Sequence, residues 1–334
     1  MQMTFKTVTA AAMMLAGLTG TALAQDKVSY GTDWLAQAEH GGFYQAVADG
    51  TYAKYGLDVT IVQGGPQAAN RALLIAGRIE FYMGGVLSSL DSVKEGIPVV
   101  TVASMFQKDP QILMVHPDSP YETFADLAKA EKIIMGKDVL VTKFEWMKKN
   151  FEGFKDEQYV PYTYSSAPFI ADPLSVQQGY VTSEPFAVER EGGFVPKSFL
   201  FADQGYNAYS TTIETSTKLV EENPDLVKRF VEASIIGWYN YLYGDNAAAN
   251  ELIKKDNPEM TDEQLAFSLA KMKELGIVVS GDAEDKGIGC ITEERYLDFF
   301  GKLVDIGLYD ASLDAKKAIN TQFVCQGLGK ELVQ

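Results

Sequence analysis

The sequence predicts an α/β protein of two lobes, each with a mainly parallel sheet flanked by helices. Between residues 28 and 106, short strand-like runs such as 57–62 and 98–106 alternate with segments of helical spacing. That alternation is typical of parallel sheets covered by helices. The chain has 334 residues, which is enough for two separate cores. Strand-like runs resume beyond residue 110 and again beyond residue 207, which predicts two crossings between the lobes.

The first 24 residues have the pattern of a signal peptide. Lys6 precedes an apolar run over residues 8–18 that is too short to span a bilayer, and Ala22-Leu23-Ala24 forms a small-residue cleavage site. We expect cleavage to leave Gln25 as the new N-terminus and the protein to reside in the periplasm. An uncleaved membrane anchor is the alternative.

The charge balance limits the classes of partner. The formal net charge is −16, and cleavage would remove one further lysine. Nucleic acid and anionic membrane surfaces are therefore poor partners. No apolar stretch of the sequence beyond residue 24 is long enough to cross a bilayer. We expect no direct membrane insertion and a self-repelling monomer.

We expect the chain to cross between the lobes near residues 107–110 and again near 203–207. Lobe I would then be discontinuous, with residues 25–107 and 208–334, and lobe II would hold residues 108–207. Two crossings between two lobes are what a hinged clamshell requires.

Several element boundaries carry local signals. Asn223, followed by a proline, predicts the start of a long helix that ends near residue 243. Thr261 and Thr292 predict two further helix starts. In lobe II, residues 171–178 indicate a helix and residues 180–183 a strand.

Trp34 and His40 are the leading candidates for ligand contact in lobe I. Trp34 ends a strand-like run, where open α/β sheets bind ligands, and a rigid indole stacks well on flat rings. His40 precedes two glycines at a helix start, where a neutral imidazole can donate one hydrogen bond and accept another. A core tryptophan and a structural helix cap are the alternatives.

Glu184 is the main candidate in lobe II. It follows a strand-like run and precedes Pro185, and a carboxylate there can accept two parallel N–H bonds from an aminopyrimidine-like edge. Stabilisation of a helix N-terminus is the alternative role. Tyr164 ends a cluster with Tyr159 and Tyr162 and is a further candidate, although tyrosines in a strand are usually packed.

Three other positions are weaker candidates for ligand binding. Gly42 and Tyr44 lie in the same helix start as His40, and Tyr44 can face either the pocket or the core. Tyr209 follows the second crossing and is a candidate at the hinge.

Cys290 and Cys325 are the only cysteines of the sequence. In an oxidising compartment we expect them to pair across a loop of about 35 residues, with two free buried thiols as the alternative. The sequence has neither a CxxC motif nor a cysteine–histidine cluster, so we expect no metal and no cofactor. Catalytic motifs such as GxSxG and HExxH are also absent from it, so we expect no catalytic residues.

Two motifs point to a known family. Asp33, Trp34, His40, Gly42 and Tyr44 form the pattern D-W-x5-H-x-G-x-Y, which precedes the run Y-G-L-D-V. Together with Q-Q-G-Y-V-T-S-E-P at 177–185, this pattern resembles the NMT1/THI5-like (SsuA/THI5-like) solute-binding proteins of ABC importers. The resemblance covers most of the chain beyond residue 24. It implies a type II periplasmic-binding-protein-like clamshell that captures a small ligand and delivers it to the transmembrane subunits of a permease.

Within that family, the chain most resembles binders of thiamine-pyrimidine precursors. The resemblance implies a heteroaromatic ligand of hydroxymethyl- or formylamino-pyrimidine type. Riboflavin-type molecules, sulfonates and nitrate are the alternatives, and an anion would require cationic groups such as Arg71 or Lys143 in the cleft. Fungal relatives synthesise the pyrimidine with a histidine and a cysteine-rich iron motif. This chain keeps His40 but has no cysteine cluster, which argues against an enzyme.

Overall fold

The computed structural model of the protein describes residues 24–333, so the predicted signal peptide lies outside the described residues except for Ala24. In this part of the chain, strands form two sheets of five. In chain order the strands are β1 Asp26–Gly31, β2 Leu57–Val62, β3 Phe81–Gly84, β4 Val99–Phe106, β5 Gln111–Val115, β6 Ile133–Met135, β7 Tyr159–Pro161, β8 Val176–Tyr180, β9 Lys197–Leu200 and β10 Ser210–Ser216.

Each sheet has a single strand that runs against the others. The first sheet has the order β2-β1-β3-β10-β4, and β10 is antiparallel to both β3 and β4. The second has the order β7-β6-β8-β5-β9, and β5 is antiparallel to both β8 and β9. The remaining strands of each sheet share one direction, so both sheets are mainly parallel, as the sequence predicts.

The strands between residues 26 and 106 share the first sheet with β10, whereas the strands between 111 and 200 form the second sheet. The chain therefore passes between the sheets after β4 and returns before β10. We use lobe I for the part with the first sheet (25–107 and 208–333) and lobe II for the part with the second sheet (108–207).

Helices cover both sheets. In chain order they are α1 Gly41–Ala48, α2 Thr51–Lys54, α3 Asn70–Ile75, α4 Val86–Glu95, α5 Lys137–Val139, α6 Glu145–Asn150, α7 Ala167–Ala171, α8 Glu184–Gly192, α9 Thr217–Glu222, α10 Pro224–Tyr243, α11 Ala247–Asp256, α12 Asp262–Glu274, α13 Asp282–Lys286 and α14 Glu293–Asp305. A π-helical turn, Leu140–Phe144, joins α5 to α6.

Two of the predicted helix caps form as expected. The Asn223 side chain accepts a hydrogen bond from the Leu226 amide at the start of α10, and Thr261 accepts one from Gln264 at the start of α12. Thr292 does begin α14, but its side chain makes no cap hydrogen bond to that helix. Its hydroxyl instead lies near Asp282.

The predicted helix over residues 171–178 is wrong. Residues 176–180 form strand β8, which pairs antiparallel with β5 and parallel with β6. Pairing on both sides satisfies the backbone donors and acceptors of this segment, so tertiary context overrides the local pattern. The predicted strand over 180–183 correspondingly shortens to its first residue.

The two glycines after His40 let α1 lie directly on α10. A Cβ atom on Gly41 would be 2.1 Å from the Tyr241 ring, and one on Gly42 would be 2.2 Å from the Trp238 indole. Only glycine permits this approach at either position. The close packing fixes the start of α1, and with it the position of His40.

The predicted disulfide is confirmed. Cys290 and Cys325 are bonded, with their Cα atoms 4.5 Å apart. The bond ties the segment before α14 to the C-terminal segment of lobe I. None of the helices in residues 24–333 combines the length and the apolar character needed to cross a membrane.

Candidate functional site

A cavity of about 270 Å³ lies between the two lobes. Lobe I contributes residues from the segment after β1, from the end of β3 and from the start of β10. Among them are Asp33, Trp34, Glu39, His40, Gly84 and Thr211. Lobe II contributes residues at the ends of β5, β7 and β8 and at the start of α8, among them Gln111, Tyr162, Tyr164, Gln178, Tyr180 and Glu184. The site is therefore complete only when the two lobes are together.

Four of the residues singled out from sequence meet here. Trp34, His40, Tyr164 and Glu184 all line this cavity. They come from loops at strand ends and from helix starts, which is where α/β sheets place ligand-binding groups. Contact of these four side chains with a ligand remains a prediction.

An aromatic pair spans the cavity. Trp34 of lobe I and Tyr164 of lobe II have ring centroids 5.9 Å apart with planes inclined by 32°, and Tyr162 lies 5.3 Å from Tyr164. Trp34 is half-buried, and Tyr164 is 69% exposed. Such faces offer a stacking surface for a flat ring.

Glu184 is the first residue of α8, and its carboxylate turns back toward β8. Its Oε2 accepts a hydrogen bond from the backbone amide of Tyr180 at 2.7 Å. Burial raises the pKa of Glu184, and the nearby charge of Glu39 raises it further. Burial, followed by the charge of Glu184, also raises the pKa of Tyr162. Glu184 and Tyr162 thus form one polar wall of the cavity.

Glycine at position 179 makes room for this carboxylate. A Cβ atom there would lie 2.8 Å from the Glu184 Cβ and 3.2 Å from its Oε2. The first of these distances is shorter than real Cβ atoms accept, so any side chain at position 179 would displace Glu184.

Glu39 links the two lobes. It lies in a single 3-10 turn, Ala38–His40, and is only 4% exposed. Its Oε1 accepts a hydrogen bond from the Thr182 hydroxyl of lobe II. The Thr182 carbonyl in turn accepts a hydrogen bond from Ser268 of α12 at 2.7 Å. Lobe I therefore holds Thr182 from two sides, and the structure is a closed one.

Two buried polar atoms that belong to lining residues have no hydrogen-bond partner within residues 24–333. One is Nδ1 of His40, whose ring is 1% exposed and whose Nε2 lies 3.6 Å from Asp33 Oδ1. The other is Oε1 of Gln111, which is 5% exposed. Buried polar groups are normally satisfied, so each of these atoms has unused hydrogen-bonding capacity that a ligand or a water molecule would satisfy.

Backbone strain is also concentrated at the cavity. Tyr164 and Thr211 both line it, and both have positive φ angles, 61° and 49°. Left-handed backbone is unfavourable for side chains of this kind and is maintained only where the surroundings impose it. Strain of this kind is frequent at ligand sites.

The other three candidate residues lie elsewhere. Gly42 packs on Trp238 in the core of lobe I, and the buried Tyr44 donates a hydrogen bond from its hydroxyl to Asp256 at 2.8 Å. Tyr209 is buried at the second crossing, where its hydroxyl bonds Asp282 and the Arg295 guanidinium stacks on its ring at 4.2 Å. These three positions have packing roles in this arrangement, because their neighbours are core or hinge residues.

Sequence reasoning did not single out Glu39, Gln111 or Gln178. Glu39 has a local signal, since an acid directly precedes the histidine of the recognised motif. Gln178 was concealed by the wrong helix, because only a strand places its side chain beside the cavity. Gln111 follows the first crossing, and nothing in its immediate sequence marks it.

Within residues 24–333, no three histidine, cysteine, aspartate or glutamate side chains are grouped closely enough to hold a metal ion. What the cavity offers is aromatic surface, carboxylates and amide groups, which is the chemistry of binding a small polar ring.

Two relatives of known function cover most of the chain. The chain is similar to the riboflavin-binding protein RibY of Chloroflexus aurantiacus, with 23% identity over 309 residues that span 90% of this chain and 87% of the relative. It is also similar to the formylaminopyrimidine-binding protein of Halalkalibacterium halodurans, with 22% identity over 260 residues that span 72% of this chain and 76% of the relative.

Solved structures share the fold at low sequence identity. The periplasmic aliphatic sulphonate binding protein SsuA of Escherichia coli aligns with a TM-score of 0.66 and 14% identity over 91% of this chain and 99% of that protein. The desulfurization enzyme DSZB aligns with a TM-score of 0.60 and 14% identity over 92% of this chain and all of that protein. The architecture is therefore that of periplasmic binding proteins, as predicted. The same fold also occurs in an enzyme, so the fold alone does not decide between binding and catalysis.

The family itself is decided by the sequence. The sequence model of NMT1/THI5-like proteins matches residues 37–248, which is more than half of the chain and includes His40, Tyr164 and Glu184. This match confirms the resemblance carried by the two motifs. The chain belongs to the NMT1/THI5-like family.

Proposed function

We propose that this protein is the solute-binding component of an ABC importer and that it works in the periplasm. Its ligand is a small heteroaromatic molecule of aminopyrimidine type, such as a thiamine-pyrimidine precursor. The lobes close on this ligand and present it to the transmembrane subunits of a permease. Ligand contacts with both lobes favour the closed form, which is how binding shifts such an equilibrium.

The observation that carries this proposal is the meeting of an indole from lobe I and a carboxylate from lobe II in one small cavity. Trp34 offers a flat face, and Glu184 offers acceptors at the opposite wall. A planar ring with an exocyclic amino group satisfies both, because its face stacks and its edge donates N–H bonds. The similarity to a formylaminopyrimidine-binding protein supports the same class of ligand.

The size of the cavity favours a single ring over a flavin. Its volume of about 270 Å³ is just below the ~300–1,000 Å³ of sites for drug-sized ligands. Riboflavin has three fused rings and a ribityl chain, so it would require a wider opening of the lobes than a pyrimidine does.

The arrangement disfavours a sulfonate or nitrate ligand. In the described part of the chain, no lysine or arginine lines the cavity. Arg71 instead donates to the Ser88 carbonyl and the Ser92 hydroxyl, each at 2.9 Å, and Lys143 pairs with Asp109 at 3.0 Å. Both of the cations that could have served an anion site are thus occupied by other partners.

The role proposed here is capture without chemistry on the ligand. Mass spectrometry of ligand recovered after long incubation with the protein should therefore find the compound unchanged. Recovery of a converted product would replace the binding role with an enzymatic one.

A ligand panel tests the proposed class. Thermal-shift and calorimetric titrations would compare a 4-amino-5-hydroxymethylpyrimidine, its analogue without the 4-amino group, riboflavin and an alkanesulfonate. The aminopyrimidine should bind tightest. Glu184→Gln should weaken the aminopyrimidine by about 1.5–3 kcal/mol and weaken the des-amino analogue much less.

Glu191→Gln is the matched control, because Glu191 lies exposed on the same helix and changes the net charge equally. Equal losses for both pyrimidines in Glu184→Gln would assign Glu184 a structural role. A shift with the sulfonate alone would overturn the ligand class.

A further inference from the structure

Two carboxyl groups enter the interlobe cavity from opposite sides. Glu39 comes from the 3-10 turn of lobe I, and Glu184 comes from the start of α8 in lobe II. Both line the same cavity, and the pKa of Glu184 is raised first by burial and then by the charge on Glu39. Asp33 adds a third acid at the rim, where its side chain is half exposed.

No lysine or arginine in the described residues balances these acids at the cavity wall. The lining has neither lysine nor arginine, and its one basic side chain is His40. The buried Lys143 of lobe II is already paired with Asp109. Burial raises the pKa of Glu39 as well as that of Glu184, because their charged forms are unfavourable in the closed cavity. A ligand that supplies positive charge there would stabilise the charged forms of both acids.

An unpartnered acceptor adds a need for a hydrogen-bond donor. Oε1 of Gln111 is buried without a partner in the described chain, and Gln111 lines the same cavity. Glu39, Glu184 and Gln111 together present acceptor oxygens from both lobes. A ligand that donates hydrogen bonds and carries positive charge matches all three.

Glu39 also connects the charge in the cavity with the contact between the two lobes. Its carboxylate accepts the hydroxyl of Thr182 from the other lobe. A cation beside Glu39 and Glu184 removes the repulsion that opposes bringing the two lobes together, whereas a neutral ring leaves this repulsion in place.

The geometry points to a positively charged heteroaromatic ligand, whose charge is read jointly by Glu39 of lobe I and Glu184 of lobe II. This inference rests on the proposed capture of an aromatic ring and narrows it to cationic rings, such as quaternised or protonated aminopyridine and aminopyrimidine rings. Glu39 is then a specificity-determining residue, because it selects the charge of the ring and not its shape.

A pair of isosteric probes tests the charge directly. 4-Amino-1-methylpyridinium and 4-methylaniline have the same shape and the same amino group, but only the first is charged at neutral pH. We expect the cation to bind the wild-type protein at least about tenfold tighter in calorimetric titrations. Glu39→Gln should reduce this preference by about tenfold, while the affinity for 4-methylaniline changes little.

Two variants keep the comparison sharp. Glu95→Gln removes one charge from an exposed position of lobe I outside the cavity and should leave the preference unchanged. Thr182→Val removes the interlobe hydrogen bond but keeps both acids, so it should weaken both probes and preserve their ratio. If Glu39→Gln fails to fold, the Thr182→Val variant still decides the question. A preserved ratio of the affinities for the two probes supports the charge inference, and a lost ratio contradicts it.

The outcomes separate the two proposals. Equal affinity of the wild-type protein for the two probes, with both weakened by Trp34→Ala, would overturn the charge inference and leave aromatic capture standing. An unchanged preference in Glu39→Gln would likewise remove Glu39 from charge selection. If neither probe binds while the aminopyrimidine does, the charge inference is overturned and aromatic capture stands. If none of the three compounds binds, both proposals are overturned.

Discussion

Trp34 and Tyr164 face each other across the gap between the lobes, with ring centroids 5.9 Å apart. A ring sandwiched between two parallel faces needs about 7 Å between the outer centroids, twice a normal stacking distance. The closed structure therefore requires one of the two aromatic side chains to shift when a ring enters. We expect Tyr164 to be the side chain that shifts, because it is 69% exposed while Trp34 is half-buried.

Replacing Trp34 should reduce the affinity for an aromatic ligand without unfolding the protein. Trp34→Ala should weaken binding of an aromatic ligand by about 1–3 kcal/mol, the usual value of a base–aromatic stack. Trp34→Phe is the control and should retain most of the affinity, because a flat face remains. Calorimetric titration measures the loss, and far-ultraviolet circular dichroism checks the fold. Unchanged affinity in Trp34→Ala would remove Trp34 from the site.

Ligand binding should also change the tryptophan fluorescence. The protein has three tryptophans, and Trp146 and Trp238 are buried in the cores. A change in emission on ligand addition should therefore come from Trp34 and should disappear in Trp34→Phe. A change in emission that persists in this variant would mean that the ligand alters the surroundings of Trp146 or Trp238.

The sequence singles out those lining residues that have a local pattern. Trp34 and Glu184 both line the cavity, and both are candidates from sequence because they lie between a strand and a helix, which is where α/β sheets bind ligands. Glu39 and Gln111 come from different lobes and line one cavity only because the lobes lie together, and no local pattern encodes that arrangement. Gln178 was missed because strand β8 is imposed by pairing with β5 and β6, against the local helical pattern.

There is also a physical reason why two of the candidate residues lie outside the cavity. Gly42 and Tyr44 share the motif with His40, but a helix turns successive residues to different sides. His40 therefore lines the cavity, whereas Tyr44 faces Asp256 and Gly42 faces Trp238. A motif identifies which residues belong together, but it does not distinguish those that contact a ligand from those that fix the helix.

Glu214 should make stability depend on pH. It is fully buried in β10, with its carboxylate next to Gly84. Burial raises the pKa of Glu214 from 4.5 to about 7. Between these two values the folded state holds a proton that the unfolded chain has released. Stability should therefore fall as the pH rises through this window, by about 3 kcal/mol at ~1.4 kcal/mol per pKa unit.

Glu214→Gln should remove this part of the pH dependence. The free energy of unfolding, from denaturant titrations at about pH 4.5 and about pH 7, should decrease less for the variant than for the wild type over that interval. Glu221→Gln, at an exposed position of α9, should keep the wild-type slope. An equal slope in Glu214→Gln would show that this carboxyl titrates normally.

The Cys290–Cys325 bond should support stability but not ligand choice. It closes a loop with a sequence separation of 35 residues, for which a constrained unfolded chain gives about 3–4 kcal/mol. Neither cysteine lines the interlobe cavity. The double variant Cys290→Ser with Cys325→Ser should therefore melt earlier and show the same ranking of ligands. An altered ranking would indicate that the bond shapes the site.

Arg295 of α14 holds both crossings between the lobes. Its Nη1 donates to the Gln107 side chain at 2.9 Å, and its Nη2 donates to the Gln107 carbonyl and to Asn207 Oδ1, the latter at 2.8 Å. Gln107 belongs to the first crossing and Asn207 to the second. One planar guanidinium thus ties together the two chain segments that connect the lobes.

Lysine cannot reproduce this forked contact, because its ammonium is a single point charge. Arg295→Lys should therefore lower the free energy of unfolding by about 1–3 kcal/mol and widen the range of lobe openings in the ligand-free protein, seen as a larger radius of gyration in solution scattering. Arg78→Lys, at an exposed position of lobe I, should change neither quantity. If Arg295→Lys matched Arg78→Lys in scattering and lost only stability, the guanidinium would be a packing element of lobe I, and the freedom of the hinge would be set by the backbone of the crossings alone.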